Sequence, residues 1–215
     1  MKRQIPLKRD PGRTRATLLA EATKIFARSG YHGASLSDIL KKAKINKRMI
    51  YHYFGSKEEL YREVHLQGWK ELQEWFLKEL SRSDLKNASP IEDKDLLMES
   101  LKIFHDFIAS HQLFLRLLVW DGLEGGQVSR SLWKDIRGPI YRQLEFLVQD
   151  AQTKGVLDVD LKASHLIISF MGVVAFYYAH AHTMVDIFQK NTLGREAIEE
   201  RKEQILLLFR KIIKV

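Results

Sequence analysis

Between Ala43 and Leu60 the chain places Lys47, Arg48, Tyr51, His52 and Tyr53 within about two helical turns. All five can donate hydrogen bonds to phosphate oxygens or base edges. Ile50 and Phe54, four apart in the same run, share the face that can pack inward. One side is core and the other is reach, a pattern suited to recognising a polyanion. A catalytic reading finds much less. The sequence has no cysteine, which removes disulfides, thiolate nucleophiles and cysteine-based zinc sites. It has no glycine-rich phosphate loop and no Gly-x-Ser-x-Gly nucleophile motif. The remaining cluster is His180, His182 and Asp186. On a continuous helix only His182 and Asp186 share a face, and two ligands fall short of the three or four that zinc requires. No catalytic residue, metal or cofactor is expected.

The charge distribution points the same way. Of the net +8 over 215 residues, the first 60 hold 14 Lys and Arg against 5 Asp and Glu, and the remainder is close to neutral. The excess positive charge therefore sits where a polyanion would be met. The N-terminus carries Lys2, Arg3, Lys8, Arg9, Arg13 and Arg15 as a basic arm, with Pro6, Pro11 and Gly12 expected to keep it non-helical up to about Arg15. It lacks the apolar region of a secretory signal, so a cytoplasmic protein is expected. Ala163 to Val185 contains no Asp, Glu, Lys or Arg. Its histidines, serines and glycine, and the lack of a second such stretch, favour a buried helix over a membrane span.

These side chains need elements to hold them, and the apolar spacing predicts helices throughout, with no strand. Leu18, Ala22, Ile25 and Phe26 mark a helix from about Thr14 to Ser29, stopped by Gly30. Ser35 with Asp38 forms a capping pattern for a short helix over Leu36 to Ala43. Asn46 caps the helix bearing the basic and aromatic cluster, Gly55 turns the corner, and Ser56 with Glu59 starts a long helix from Lys57 to about Ser83. Helices follow near Asp93 to Ser110, Gln112 to Trp120, and Ser129 to Lys154 with a bend at Pro139. An apolar helix capped by Asp158 or Asp160 is expected over Leu161 to Gln189, and a striped one over Leu193 to Val215.

Helix, short helix, turn and short helix make a helix-turn-helix unit. The run GYHGASLSDILKKAKINKRMIYHYFGSKEEL, within Arg13 to Tyr61, resembles the N-terminal DNA-binding domain of the TetR family of bacterial transcriptional regulators. Phe26, Gly30, Tyr31, Ile39, Tyr51, Phe54, Lys57 and Leu60 carry the match. The resemblance implies phosphate contacts from Tyr51, Tyr53 and Lys57, base or backbone contacts from Lys47 and His52, and an N-cap contact from Ser35. Two positions depart from the pattern. Lys44 stands where the family usually has a turn glycine, and Arg48 stands where a small residue often follows the recognition-helix lysine. Arg48 is expected to read guanine or grip phosphate in its own way.

The expected architecture is all-α, with a DNA-binding domain over residues 1–60 and a helical effector-binding and dimerisation domain over 61–215. Trp69, Phe104, His105, Trp120, Tyr141, His165 and Tyr177 are candidates to line a small-molecule pocket, because cavities are largely apolar and the resemblance implies an effector. The last two long helices offer apolar surface for a homodimer, and charge at Val174 or Phe209 is expected to dissociate it. The function expected is a regulator, most simply a repressor, released from palindromic double-stranded operator DNA by an effector. The alternatives are an activator, a binder of another polyanion such as RNA or an anionic membrane, and an enzyme.

Overall fold

Three side chains organise the N-terminal helices in the computed structural model, which describes residues 11–83, 93–189 and 191–213. Ser35 Oγ accepts from the Ser37 amide at 3.1 Å, Asn46 Oδ1 from Arg48 at 2.9 Å, and Ser56 Oγ from Glu59 at 3.0 Å. Each satisfies a backbone donor that a helix start leaves orphaned. They open α2 (Leu36–Ala43), α3 (Lys47–Phe54) and α4 (Lys57–Arg82), which follow α1 (Pro11–Gly33). Leu18, Ala22 and Phe26 of α1, Ile39 of α2, Ile50 of α3 and Leu60 of α4 are completely buried together. The turn between α2 and α3 passes through Lys44 at φ 54°. A non-glycine residue in this left-handed region costs about 1–2 kcal/mol.

Pro11 does not keep the chain non-helical: it is the first residue of α1, where its missing N–H costs nothing and its fixed φ suits a helix start. The arm before it, with Lys2, Arg3, Lys8 and Arg9, lies outside the described residues, as does the loop around Pro90.

Among the described residues seven further helices follow: α5 (Asp93–Ser110), α6 (Gln112–Leu123), α7 (Gln127–Ser131), α8 (Gly138–Thr153), α9 (Ala163–Ala179), α10 (Val185–Phe188) and α11 (Arg195–Arg210). The described residues contain no strand. Two long elements read from the sequence are in fact broken. The expected Ser129 to Lys154 helix divides into α7, a wide π-helical turn at Trp133–Arg137, and α8. Pro139 has no N–H to offer the carbonyl four residues earlier, and a Cβ on Gly138 would lie 2.6 Å from the Trp133 carbonyl oxygen. The expected Leu161 to Gln189 helix ends at Ala179, and a 3₁₀ turn at Ala181–Thr183 precedes α10. His180 and His182 therefore lie beyond the helix that was expected to hold them. Asp158 does not cap α9; its Oδ1 accepts from the Asp160 amide at 3.0 Å in a local turn, and Lys162 precedes the helix without a side-chain cap.

Val174 and Phe209 do not lie on a free surface of the last two long helices. Both are buried within the subunit's own core, so charge there would disrupt folding rather than association. The outward side of α9 instead shows Ile168 and Phe176, 64% and 56% exposed, and α11 shows Leu207 and Leu208.

α4 carries a buried histidine with a measurable consequence. His65 is fully enclosed, and neither ring nitrogen has a hydrogen-bond partner among the described residues. Burial lowers its pKa to about 4, against the upward pull of Asp121 and Glu124 and with the help of Arg137. The folded protein therefore keeps His65 neutral while the unfolded chain titrates at the ordinary value near 6.5. Stability from this difference is fully present above about pH 6.5 and is lost as pH falls toward 4. Between pH 7 and pH 5 it should amount to about 2 kcal/mol. Urea unfolding at the two pH values should show a smaller loss for His65→Met than for the unmodified protein, whereas equal losses would mean that His65 titrates normally.

Candidate DNA-binding surface and ligand cavity

The same periodicity that buries Ile50 and Phe54 turns Lys47, Arg48, Tyr51 and His52 outward, all exposed on α3. Tyr53 is half-buried, its ring edge-on to His52 with centroids 5.0 Å apart. Ser35 lies at the start of α2 and Ser56 at the start of α4. A helix start presents backbone N–H groups and a positive dipole end, the usual seat of a phosphate. Thus one short helix presents exposed basic and aromatic side chains, and two neighbouring helix starts lie beside it. Lys57 is placed differently from the α3 cluster. Its ammonium lies 4.5 Å from the centroid of the Tyr31 ring, and burial lowers its pKa while Glu124 partly restores it.

The N-terminal helices are clamped to the rest of the molecule at the end of α1. Gly30 has φ 68°, and a Cβ there would lie 2.6 Å from Glu124 Oε1 and 2.8 Å from the Trp120 ring. Glu124 accepts from the amides of Tyr31 and His32 at 2.9 and 3.0 Å, and Arg116 Nε donates to the Ala27 carbonyl at 2.9 Å. Arg116 of α6 and Glu124 just after it thus satisfy backbone groups at the end of α1.

Farther along α4 a cavity of about 600 Å³ opens between α4, α5, α8, α9 and α11, within the range of small-molecule sites. Trp69, Phe104 and Tyr141 line it. The other four pocket candidates lie elsewhere. His105 is buried, bonded through Nε2 to the Tyr178 hydroxyl at 2.9 Å and through Nδ1 to Asp106 at 3.1 Å. Lys202 completes that network by pairing with Asp106 at 3.1 Å, tying α5, α9 and α11 together. Hydrogen bonds from His105 and Lys202 overcome the upward effect of burial and hold the Asp106 pKa below its ordinary value. Trp120 packs against Gly30 at the clamp. His165 is exposed on α9, and Tyr177 donates its hydroxyl to the Thr192 carbonyl at 2.7 Å. The other apolar members of the lining, Leu72, Phe76, Leu97 and Leu157 among them, look like ordinary core in sequence. Only the facing of five helices at once distinguishes them.

No helix among the described residues is long and apolar enough to cross a membrane, and no group of three metal-binding side chains occurs among them.

Comparisons with known proteins agree with this arrangement. Residues 18–64 match the family model described as bacterial regulatory proteins of the tetR family, and residues 94–208 match the tetracyclin repressor-like C-terminal domain. The chain is 26% identical over 188 residues to the HTH-type transcriptional repressor NicS of Pseudomonas putida, covering 86% of this chain and 85% of that protein. It is 31% identical over 161 residues to the HTH-type transcriptional repressor SCO4008 of Streptomyces coelicolor, covering 74% and 75%. Among solved structures, SCO4942 of Streptomyces coelicolor superposes with a TM-score of 0.69 at 22% identity, covering 93% of this chain and 98% of that one. With both halves of the chain matched and the α3 surface in place, the protein belongs to the TetR family of bacterial regulators and is a DNA-binding transcriptional regulator, not an enzyme.

Proposed function

We propose that the protein is a cytoplasmic repressor, a homodimer that holds a palindromic operator and releases it when a small molecule fills the cavity. Residues 1–60 act as the DNA-binding unit and 61–215 as the effector and dimerisation unit. Lys47, Arg48 and His52 reach base edges or backbone, while Ser35, Tyr51, Tyr53 and Lys57 hold phosphates. The observation that carries this reading is α4, one unbroken helix that begins at the DNA-side corner and continues along the cavity wall at Trp69 and Leu72. From Lys57 to Trp69 it spans about 18 Å. A ligand wedged against Trp69 tilts α4, carries the Gly55 corner with it, and changes the spacing of the two α3 helices in a dimer.

Such a ligand acts only through its different affinities for the two spacings. To weaken operator binding a hundredfold it must favour the released form by about 2.7 kcal/mol. Reciprocity then requires that operator DNA weaken effector binding by the same factor. Titrating the effector into free and operator-bound protein tests this. A hundredfold difference in dissociation constant is expected, and equal affinity in the two titrations would refute release by this route.

A further inference from the structure

The cavity's chemistry is uneven along its length, and this narrows what can occupy it; the inference rests on the effector reading above. Its wall on α4 runs from Trp69 to Leu80, about 16 Å of helix. The polar groups gather toward the Trp69 end. Trp69 and Gln73, four apart, share one face of α4, and Gln143 and Tyr141 line the cavity from α8, with Tyr141 packing against both apolar clusters that meet there. Trp69 is buried, yet its indole N–H has no hydrogen-bond partner among the described residues. Gln73 and Gln143 are exposed, as is Leu77 one turn farther along α4, so the cavity meets water between α4 and α8 along this stretch.

The other end is aliphatic. Leu97, Val148, Leu157 and Ile167 line the cavity and belong to a separate apolar cluster from the one that contains Trp69. Among the described lining residues one further hydroxyl, that of Ser100, is already donated to the Leu96 carbonyl at 2.7 Å. No Lys, Arg, Asp or Glu is among the described lining residues. A cation inside would therefore lose its hydration without gaining a counter-ion. Just outside, a shallow depression formed by Pro139, Arg142, Gln143 and Phe146 shares Gln143 with the cavity and places a guanidinium beside its mouth.

We propose that the cavity takes a straight-chain amphiphile with a neutral or anionic oxygen-bearing head. The head sits at Trp69, Gln73 and Gln143, where the unpaired indole N–H and the two amides meet an acceptor oxygen. The tail runs along α4 toward Leu97 and Leu157. At liquid density 600 Å³ holds roughly twenty non-hydrogen atoms, and the helix length admits an extended tail of about a dozen carbons.

Isothermal titration of the full chain with primary alcohols, fatty acids and alkyltrimethylammonium salts of increasing length, each below its micellar concentration, tests the proposal. Affinity for alcohols and acids should rise about fourfold per added methylene, reach an optimum between about 10 and 16 carbons, and fall beyond it. Cationic chains of equal length should bind at least about tenfold more weakly. Leu147→Phe, at the aliphatic end, should move the optimum to shorter chains, and Leu97→Ala to longer ones, with the ligand-free melting curve confirming that each variant folds. Affinity independent of length, equal binding of cationic chains, or an optimum unmoved in both folded variants would overturn the assignment. The same ligands are then added to protein bound to operator. Length-dependent binding without DNA release supports the site and refutes the effector reading, whereas release by ligands without length dependence refutes only the amphiphile.

Discussion

Ile168→Asp and Phe176→Asp are each expected to turn the protein into a monomer and to lower operator affinity by at least about a hundredfold. The two side chains project from the outer face of α9, 64% and 56% exposed, eight residues apart on one inclined row of the helix surface. Gly172 lies midway, and the space its Cβ would occupy is open, so a partner helix can approach closely there. Across a two-fold axis this patch meets itself. A carboxylate at its centre would face its own copy and lose hydration without a partner. A monomer engages one half-site, and the drop from specific affinities of about 10⁻⁸–10⁻¹¹ M toward non-specific values of about 10⁻⁴–10⁻⁶ M sets the scale of the loss. Sedimentation at micromolar concentration and a DNA titration check the two halves separately. A folded variant that remains dimeric would place the interface elsewhere.

The second large effect is expected at α3. Replacing Lys47 and Arg48 together by Ala removes two exposed cations without touching Ile50 or Phe54, which hold the helix in the core. Each base-edge contact is worth about 1–3 kcal/mol, so the double variant should lose about 30-fold to 10⁴-fold on the operator if both reach bases. Arg48→Ala alone should relax preference at particular base pairs. Lys57→Ala should instead weaken all sequences about equally and reduce the salt slope by about 1. The position of Lys57 over the Tyr31 ring means that its ammonium must leave that ring to reach a phosphate. Equal losses on operator and random DNA for both Arg48→Ala and Lys57→Ala would make Arg48 a phosphate contact.

The N-terminal helices were legible in the sequence because their signals are local. Ser35, Asn46 and Ser56 each cap a helix start through a backbone donor two or three residues on, and Gly55 turns the corner at φ 77°. The C-terminal half was less legible because its breaks depend on other elements. Nothing in the uncharged run from Ala163 to Val185 announces that the helix ends at Ala179. There Tyr177 bonds to Thr192, and Thr192 Oγ1 donates to the Ala181 carbonyl at 2.7 Å, both across the chain. The aromatic candidates fared similarly. Trp69, Phe104 and Tyr141 face a common space, but His105 is spent on Tyr178 and Asp106, and Trp120 on the approach to Gly30. Residue type marked these side chains as able to line a pocket. Facing, fixed by the packing of five helices, decided which of them do.

As proposed above, α3 reads a two-fold symmetric duplex site. Selection of binding sequences from a random duplex pool by the full chain tests it most directly, because no operator need be known in advance. Enrichment is expected of an inverted repeat whose half-site centres lie about 34–36 Å apart, or a multiple of that turn. The selected site should bind at least about 10³-fold more tightly than random duplex, and that preference should collapse when Lys47 and Arg48 are both replaced by Ala. A pool that yields no inverted repeat, or a preference that survives the double replacement, would contradict it.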